Sequence, residues 1–331
     1  MIILYTESSP NIGGQELQAL SQMQALRDRG HTVALVCKKN SRIAFFAKKI
    51  GIMVFFVSFK NSIDLLSVFK LMNIVYKLSV NIIVCHSGHD SNIVGIVRIL
   101  LRKKVFVIRQ KTYITNKVRP FSLNYMNDLV IVPGCEIKDS LVNAGCKENK
   151  IHIIPPGFEF NKMQIESELT LPEHILSWLK TSVKYPLIVQ VGMLRPEKGH
   201  GFIIDILEML KKEKKNFRYL IIGDGKPEYK KKLRNKITSK NLWDRVYMAG
   251  EVYPVMPVYK YADLVVVPSR NESFGMTVVE ASYMEIPVFA SNVGGLAEII
   301  QSNINGILLP VDNKCIWAAT LCDYLNNPDD Y

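Results

Sequence analysis

The sequence predicts an α/β protein built on two doubly wound parallel sheets, and three observations lead there. Short apolar runs alternate with helix-length runs from residue 2 to about 132, and the alternation restarts at 187 and continues to about 290. This is the pattern of parallel strands joined by helical crossovers. The strand-like runs are continuous and β-branched, as in 264–267, which is what a strand buried on both faces requires. Glycine-bearing turns follow several of them, at Gly13-Gly14, Gly192 and Gly223.

In the first half, strands are expected at 2–6, 32–37, 53–57, 81–85, 105–108 and 128–132, with helices at 15–29, 41–50, 63–78 and 91–101. Helix 63–78 mixes Leu65, Leu66, Val68, Phe69, Leu71 and Met72 with Lys60, Lys70 and Lys77 nearby. Packing on the sheet is the expectation for it, and contact with lipid the alternative. The pattern breaks around Ile153-Ile154-Pro155-Pro156-Gly157, and a polar region without a strand candidate follows. Strands then recur at 187–191, 219–222, 246–249, 264–267 and 288–290, with helices at 201–212, 228–239 and 276–284. The expected domains are 1–160, a linker at 161–184, and 185–331.

With 331 residues and 48% hydrophobic content the chain can bury two cores of this size. A formal net charge of +12 implies an anionic partner: nucleic acid, a phosphate-bearing substrate or an anionic membrane face. The lysine clusters at 211–215 and 230–232 read as solvated helix faces, and no basic stripe interleaved with aromatics argues for nucleic acid. Six cysteines without a Cys-x-x-Cys pair read as reduced, mostly buried thiols of a cytoplasmic protein. The opening residues Ile2 to Thr6 are strand-length and lack a basic leader, so no signal peptide is expected there. No apolar stretch approaches the roughly 20 residues of a membrane span, so any membrane association is expected to be peripheral.

The most informative segment runs from Pro268 through Glu272, Phe274, Gly275, Met276 and Thr277 to Glu280 and Ala281. Pro268 stops a buried strand, and a helix starting near Gly275 directs unpaired N–H groups and its positive dipole end beyond the strand's carboxyl end. That is a seat for a diphosphate. Taken alone, the glutamate pair is equally an exposed side chain beside a helix cap. Three other strand-end turns carry glycine: Gly13-Gly14-Gln15-Glu16, where backbone can approach a phosphate but a simple tight turn is the alternative; Gly192-Met193-Leu194-Arg195-Pro196-Glu197-Lys198; and Gly223-Asp224-Gly225, by itself only a turn signal. Arg195 and Lys198 can neutralise charge on a departing phosphate. A dinucleotide dehydrogenase is disfavoured, because the second strand runs into Lys38-Lys39 and not an acidic residue. The loop Cys85-His86-Ser87-Gly88-His89-Asp90-Ser91 suggests metal ligands, but Asp90 or Ser91 is a credible helix cap and no metal is expected. No Asp-x-Asp flanks a strand; Asp329-Asp330 lies at the chain end.

The segment from Pro268 to Glu285, with Glu272 and Glu280 separated by seven residues, resembles the donor-sugar motif of retaining glycosyltransferases of family 4. The resemblance implies a GT-B fold, with two Rossmann-like domains facing a cleft. It implies a ribose-binding role for Glu280, a place beside the transferred sugar for Glu272, and sugar and phosphate contacts for the amides of Phe274, Gly275, Met276 and Thr277. By the same resemblance Gly13 and Gly14 face the donor diphosphate, Gly223 lies on the nucleotide side, and Lys198 with Arg195 forms the basic donor loop. His86 borders the acceptor side, and Gln110 stands where many relatives have a histidine. Met193 stands where many carry arginine, and relatives usually continue with a helix that crosses back onto the first domain. The implied activity is retaining, metal-independent transfer from a UDP-, GDP- or ADP-sugar to a glycan or lipid-linked acceptor. Lipopolysaccharide, capsule or another envelope polysaccharide is the expected product, made at the inner face of the cytoplasmic membrane. The alternatives are a sugar-nucleotide 2-epimerase of the same architecture and a non-catalytic, truncated remnant.

Overall fold

The computed structural model describes residues 1–102, 104–113, 118–180 and 185–331. The chain divides into two units, Met1–Gly157 and Phe158–Tyr331.

In the first unit, strands β1 (Ile2–Glu7), β2 (Thr32–Cys37), β3 (Met53–Phe56), β4 (Ile82–Cys85), β5 (Phe106–Gln110), β6 (Leu129–Val132) and β7 (Ile151–Ile153) form one sheet in the order β3-β2-β1-β4-β5-β6-β7. Every pairing is parallel. Helices α1 (Gly14–Asp28), α2 (Arg42–Lys49), α3 (Leu65–Leu78), α4 (Gly88–Leu100), α5 (Pro120–Tyr125) and α6 (Cys135–Asn143) make the crossovers. Successive strand residues serve opposite faces. Ile3, Tyr5 and Leu35 pack with Met23 of α1 and Ile43 of α2, while Leu4, Val36 and Ile83 pack with Leu71 of α3 and Val94 of α4. This two-sided burial is why the strands read as unbroken apolar runs. Helix α3 packs on the sheet through one stripe, Val68, Leu71 and Val75, as expected, yet its opposite stripe stays exposed.

The second unit opens with α7 (Phe160–Ser167) and α8 (Glu173–Leu179). The segment 161–184, expected to be a linker, is therefore corrected: Met163, Leu171, Ile175, Leu176 and Leu179 are buried in the same cluster as Leu187 and Val189. Residues 181–184 of that segment lie outside the described ones. Two helices this short carry too few turns for a periodic signal, and packing on the sheet is what stabilises them. There follow β8 (Leu187–Val191), α9 (His200–Lys212), β9 (Arg218–Ile222), α10 (Pro227–Ser239), β10 (Val246–Gly250), α11 (Met256–Tyr259), β11 (Leu264–Val267), α12 (Met276–Tyr283), β12 (Val288–Ser291), α13 (Gly294–Ile299), β13 (Ile307–Leu309) and α14 (Lys314–Asn326). The sheet is parallel, in the order β10-β9-β8-β11-β12-β13. The sequence pattern stopped at β12. Helix α14 continues the unit, with Trp317, Leu321 and Tyr324 buried in the cluster that holds Leu207 and Leu210 of α9. Of the six cysteines, Cys37, Cys85 and Cys146 are buried, whereas Cys135 and Cys315 are exposed, fewer buried than expected. Among the described residues no helix is long and apolar enough to cross a membrane.

Candidate active site

In each sheet the strand order reverses once, between β1 and β4 in the first unit and between β8 and β11 in the second. Crossovers diverge at these points, leaving a crevice at the strands' carboxyl ends where ligands of open α/β sheets bind.

In the second unit, the loop after β8 and the loop after β11 meet over that crevice. Lys198 Nζ lies 2.5 Å from Glu272 Oε2, with the two side chains 27% and 18% exposed. Ser269 Oγ donates to the same oxygen at 3.4 Å. Buried Gln190 anchors the basic loop, its Nε2 donating to the Lys198 carbonyl at 2.6 Å while its Oε1 accepts from the Tyr219 hydroxyl. Backbone bonds tie the loops together: Leu194 N to Asp224 O at 2.8 Å, Arg270 N to Glu197 O at 2.8 Å, and Gly295 N to Glu272 O at 3.0 Å. Such approaches leave no room for side chains. A Cβ on Gly223, whose φ is +143°, would strike the Gly192 carbonyl, and one on Gly295 would come within 2.7 Å of the Ser273 carbonyl and the Phe274 amide nitrogen.

Helix α12 starts where the sequence placed it, with Gly275 at the N-cap. Its first-turn amides at Met276 and Thr277 have no acceptor within the helix. One turn further on, Glu280 Oε2 accepts from the Tyr259 hydroxyl at 2.7 Å. Burial pushes the Glu280 carboxyl up to about 7; the Tyr259 hydrogen bond opposes this and Glu166 adds to it. Behind Lys198, fully buried His200 is pushed down to about 4 by burial and by the Lys198 charge, so it is neutral at pH 7. Arg195 does not join the pair. Its side chain is half exposed and lies 3.8 Å from Glu197.

In the first unit, His86 follows β4 and Gln110 ends β5. His86 Nε2 lies 2.8 Å from Gln110 Oε1 and its Nδ1 3.2 Å from the Thr6 carbonyl. Gln110 Nε2 donates to Gln22 Oε1 at 2.7 Å. Asp90 is no N-cap: Ser87 holds that position in α4, and Asp90, fully buried, accepts from Thr6 Oγ1, Ser8 Oγ and the His86 amide. Burial and the nearby Glu7 carboxylate raise Asp90 to about 6. Glu7 itself accepts from Ser9 N, Gln15 Nε2 and Ser87 Oγ. At the Gly13-Gly14 turn the Gly13 amide is taken up by Glu16 at 2.8 Å. Gln22 and Gln110 line a cavity of about 420 Å³ beneath α1.

The residues that the sequence reading did not single out are Gln190, Tyr259 and His200 in the second unit and Glu7 and Gln22 in the first. Tyr259 sits on the four-residue helix α11, which carries no periodic signal. Glu16 at the third position of α1, after a glycine turn, was the one visible cue to the capping contact.

Comparison with known proteins bears on both units. The sequence model of Glycosyl transferases group 1 matches residues 178–331, and that of Glycosyltransferase Family 4 matches 12–162. A D-inositol 3-phosphate glycosyltransferase of Xylanimonas cellulosilytica is 30% identical over 202 residues, covering 59% of this chain and 48% of the relative. The phosphatidylinositol N-acetylglucosaminyltransferase gpi3 subunit of Schizosaccharomyces pombe is 22% identical over 343 residues, covering 96% and 72%. The chain spans about half the length of several of the curated relatives it matches. Among solved structures, Anabaena Alr3699/HepE in complex with UDP and glucose aligns with a TM-score of 0.84 at 21% identity, covering 99% of this chain and 90% of that one. The apo lipopolysaccharide outer core galactosyltransferase WaaB aligns at 0.72 with 17% identity, covering 100% and 91%. The structural likenesses establish the GT-B fold, and each unit matches a glycosyltransferase family model over most of its length.

Proposed function

We propose that the chain is a retaining glycosyltransferase that moves a sugar from a nucleoside diphosphate sugar to a glycan or lipid-linked acceptor. The observation that carries this reading is the Lys198–Glu272 pair beside the N-terminus of α12, at the switch point of the second sheet. There Lys198 and the amides of Phe274 to Thr277 meet the charge that develops on the departing diphosphate. Arg195 swings from Glu197 to add a second cation, and Gly223 lets the nucleotide approach the backbone. Glu280, one turn along, accepts from the ribose hydroxyls when ionised. Glu272, held by Lys198 and Ser269, faces the transferred sugar. In the first unit, taken by itself, His86 and Gln110 offer hydrogen bonds to sugar hydroxyls, and the Gly13-Gly14 turn offers a close backbone approach to a phosphate. The acceptor hydroxyl attacks from the face the diphosphate leaves, and the leaving phosphate oxygen takes its proton. This chemistry assigns no step to a metal.

Complexes of HepE with UDP and with UDP-glucose support a UDP-sugar as donor. Envelope polysaccharide, built at the cytoplasmic face of the membrane, is the acceptor class this reading favours; it is supported by the basic surface and by the likeness to WaaB. The test is calorimetric titration with UDP, GDP, ADP and their sugar conjugates, beside Glu280→Ala. One base is expected to bind, at least tenfold more weakly in the variant, about 1.4 kcal/mol. Absence of binding by any of them in the folded protein overturns the reading. Release of free sugar without an acceptor-linked product would instead favour an epimerase.

A further inference from the structure

More than half of the net charge of +12 sits in one stretch of the first unit. Between residues 38 and 81 stand seven lysines and Arg42 against a single acidic residue, Asp64. That carboxylate is buried and occupied as the N-cap of α3, accepting from Ser67 N, Ser67 Oγ and Ser58 Oγ. It offers nothing to solvent that would offset the lysines. The same stretch holds a set of exposed apolar side chains. Helix α3 carries two apolar stripes: the inner one is buried on the sheet, while Leu66, Phe69 and Tyr76 on the outer one are 67%, 66% and 82% exposed. Ile63 and Leu65 at the start of the helix are 71% and 65% exposed. Lys60, Lys70 and Lys77, all exposed, flank that stripe. Met53 of the edge strand β3 is exposed on the side of the strand that carries Phe55 to the α3 cluster, whereas Phe56 on the other side lies beneath Lys48 of α2.

An apolar stripe of this kind outside the core marks a contact surface, and its lysine border specifies the partner's charge. A second copy of the chain would bring the same positive face against itself, which like charges disfavour. We infer that the exposed stripe of α3 docks the first unit on an anionic lipid surface. Leu66, Phe69 and Tyr76 enter the headgroup boundary, and Lys60, Lys70 and Lys77 meet lipid phosphates while their aliphatic stems lie along the apolar stripe. This assigns a surface to the peripheral membrane contact expected from the composition, and it does not depend on the identity of the donor.

The experiment is co-sedimentation of the full chain with vesicles of phosphatidylcholine alone and of phosphatidylcholine with one third phosphatidylglycerol. Partition is expected onto the anionic vesicles only, weakening at least about tenfold as salt rises from about 0.1 to about 0.5 M. Two variants are run beside it, Leu66→Ser with Phe69→Ser, and Lys70→Glu with Lys77→Glu. Each is expected to lose at least about tenfold in partition, while UDP affinity and the unfolding temperature stay at wild-type values. No partition by the wild type, equal partition onto neutral vesicles, or undiminished partition by both variants overturns the inference. So does a dimer in light scattering that Leu66→Ser with Phe69→Ser dissolves. Vesicle binding without binding of UDP, GDP or ADP would leave this surface standing and remove the donor reading alone.

Discussion

The Lys198 ammonium and the Glu272 carboxylate, 74 positions apart in the chain, share a contact of 2.5 Å over the switch point of the second sheet. Neither loop holds its charged group alone. Gln190 secures the Lys198 backbone, and Ser269 donates to the Glu272 carboxylate. A cation is thereby held beside the N-terminus of α12 before any ligand arrives.

Lys198→Ala removes that cation from a site whose other electrostatic contributions are the helix end and Arg195 once it has swung from Glu197. Turnover is expected to fall by about 10²-fold or more, with a smaller loss in donor affinity. Glu272→Gln keeps the shape and the Ser269 contact but releases Lys198, so donor binding should hold while turnover drops. Steady-state kinetics with the donor named by titration separates the two.

Glu280 gives a pH signature. The folded state keeps its proton up to about 7, whereas the unfolded carboxyl releases it near 4.5. The folded state therefore binds more protons between these values, and this residue's contribution to stability falls as pH rises through that window and is level above it. Glu280→Gln should flatten that decline and stabilise the empty protein above pH 7, by the order of 1 to 3 kcal/mol. Nucleotide binding has the opposite sense. If the ionised carboxylate holds the ribose, affinity rises from pH 6 to 8 in the wild type and stays level in the variant, as calorimetry at three pH values would show.

Gly295→Ala tests the interlocked loops. The added methyl collides with backbone at Ser273 and Phe274, neither of which can yield without moving the amides that follow. Nucleotide affinity is expected to fall at least about tenfold. Gly201→Ala is the control, since its nearest neighbour would be the Lys236 ammonium at 3.7 Å and α9 accepts alanine. It should bind nucleotide normally and unfold no earlier than wild type.

In the first unit, Arg98 is buried and pairs with Asp128 through both Nε, at 2.8 Å, and Nη2. Asp128 also accepts from Val107 N at 2.9 Å, and Arg98 with that backbone amide holds its carboxyl below the usual range against the effect of burial. Asp128→Ala leaves a buried guanidinium uncompensated, and a loss of about 3 to 5 kcal/mol is expected in denaturant unfolding. The wild-type contribution is complete above the ordinary carboxylate range and is lost as pH falls through the depressed folded value.

Most strands and the longer crossover helices were legible because their signal is local. Continuous β-branched runs such as Leu264 to Val267 are what two-sided burial demands, and Glu272 and Glu280 stand within nine residues of each other around one strand-to-helix turn. What failed was short or carried no period: α7 and α8, read as linker, and α11, whose Tyr259 holds Glu280. Asp90 was read as a cap from its position alone, whereas its partners Thr6 and Ser8 come from a strand end 82 to 84 residues earlier.

The sequence by itself determined the two α/β units, the helix N-terminus at Gly275 and the concentration of positive charge between residues 38 and 81, since each depends on neighbours along the chain. Only the tertiary structure decided that β8 lies between β9 and β11, which brings Lys198 onto Glu272 and leaves Arg195 facing Glu197. It also decided which stripe of α3 the sheet covers. The physical reason is the same in both cases: strand order and burial follow from which apolar faces find one another, a competition settled between segments distant in sequence.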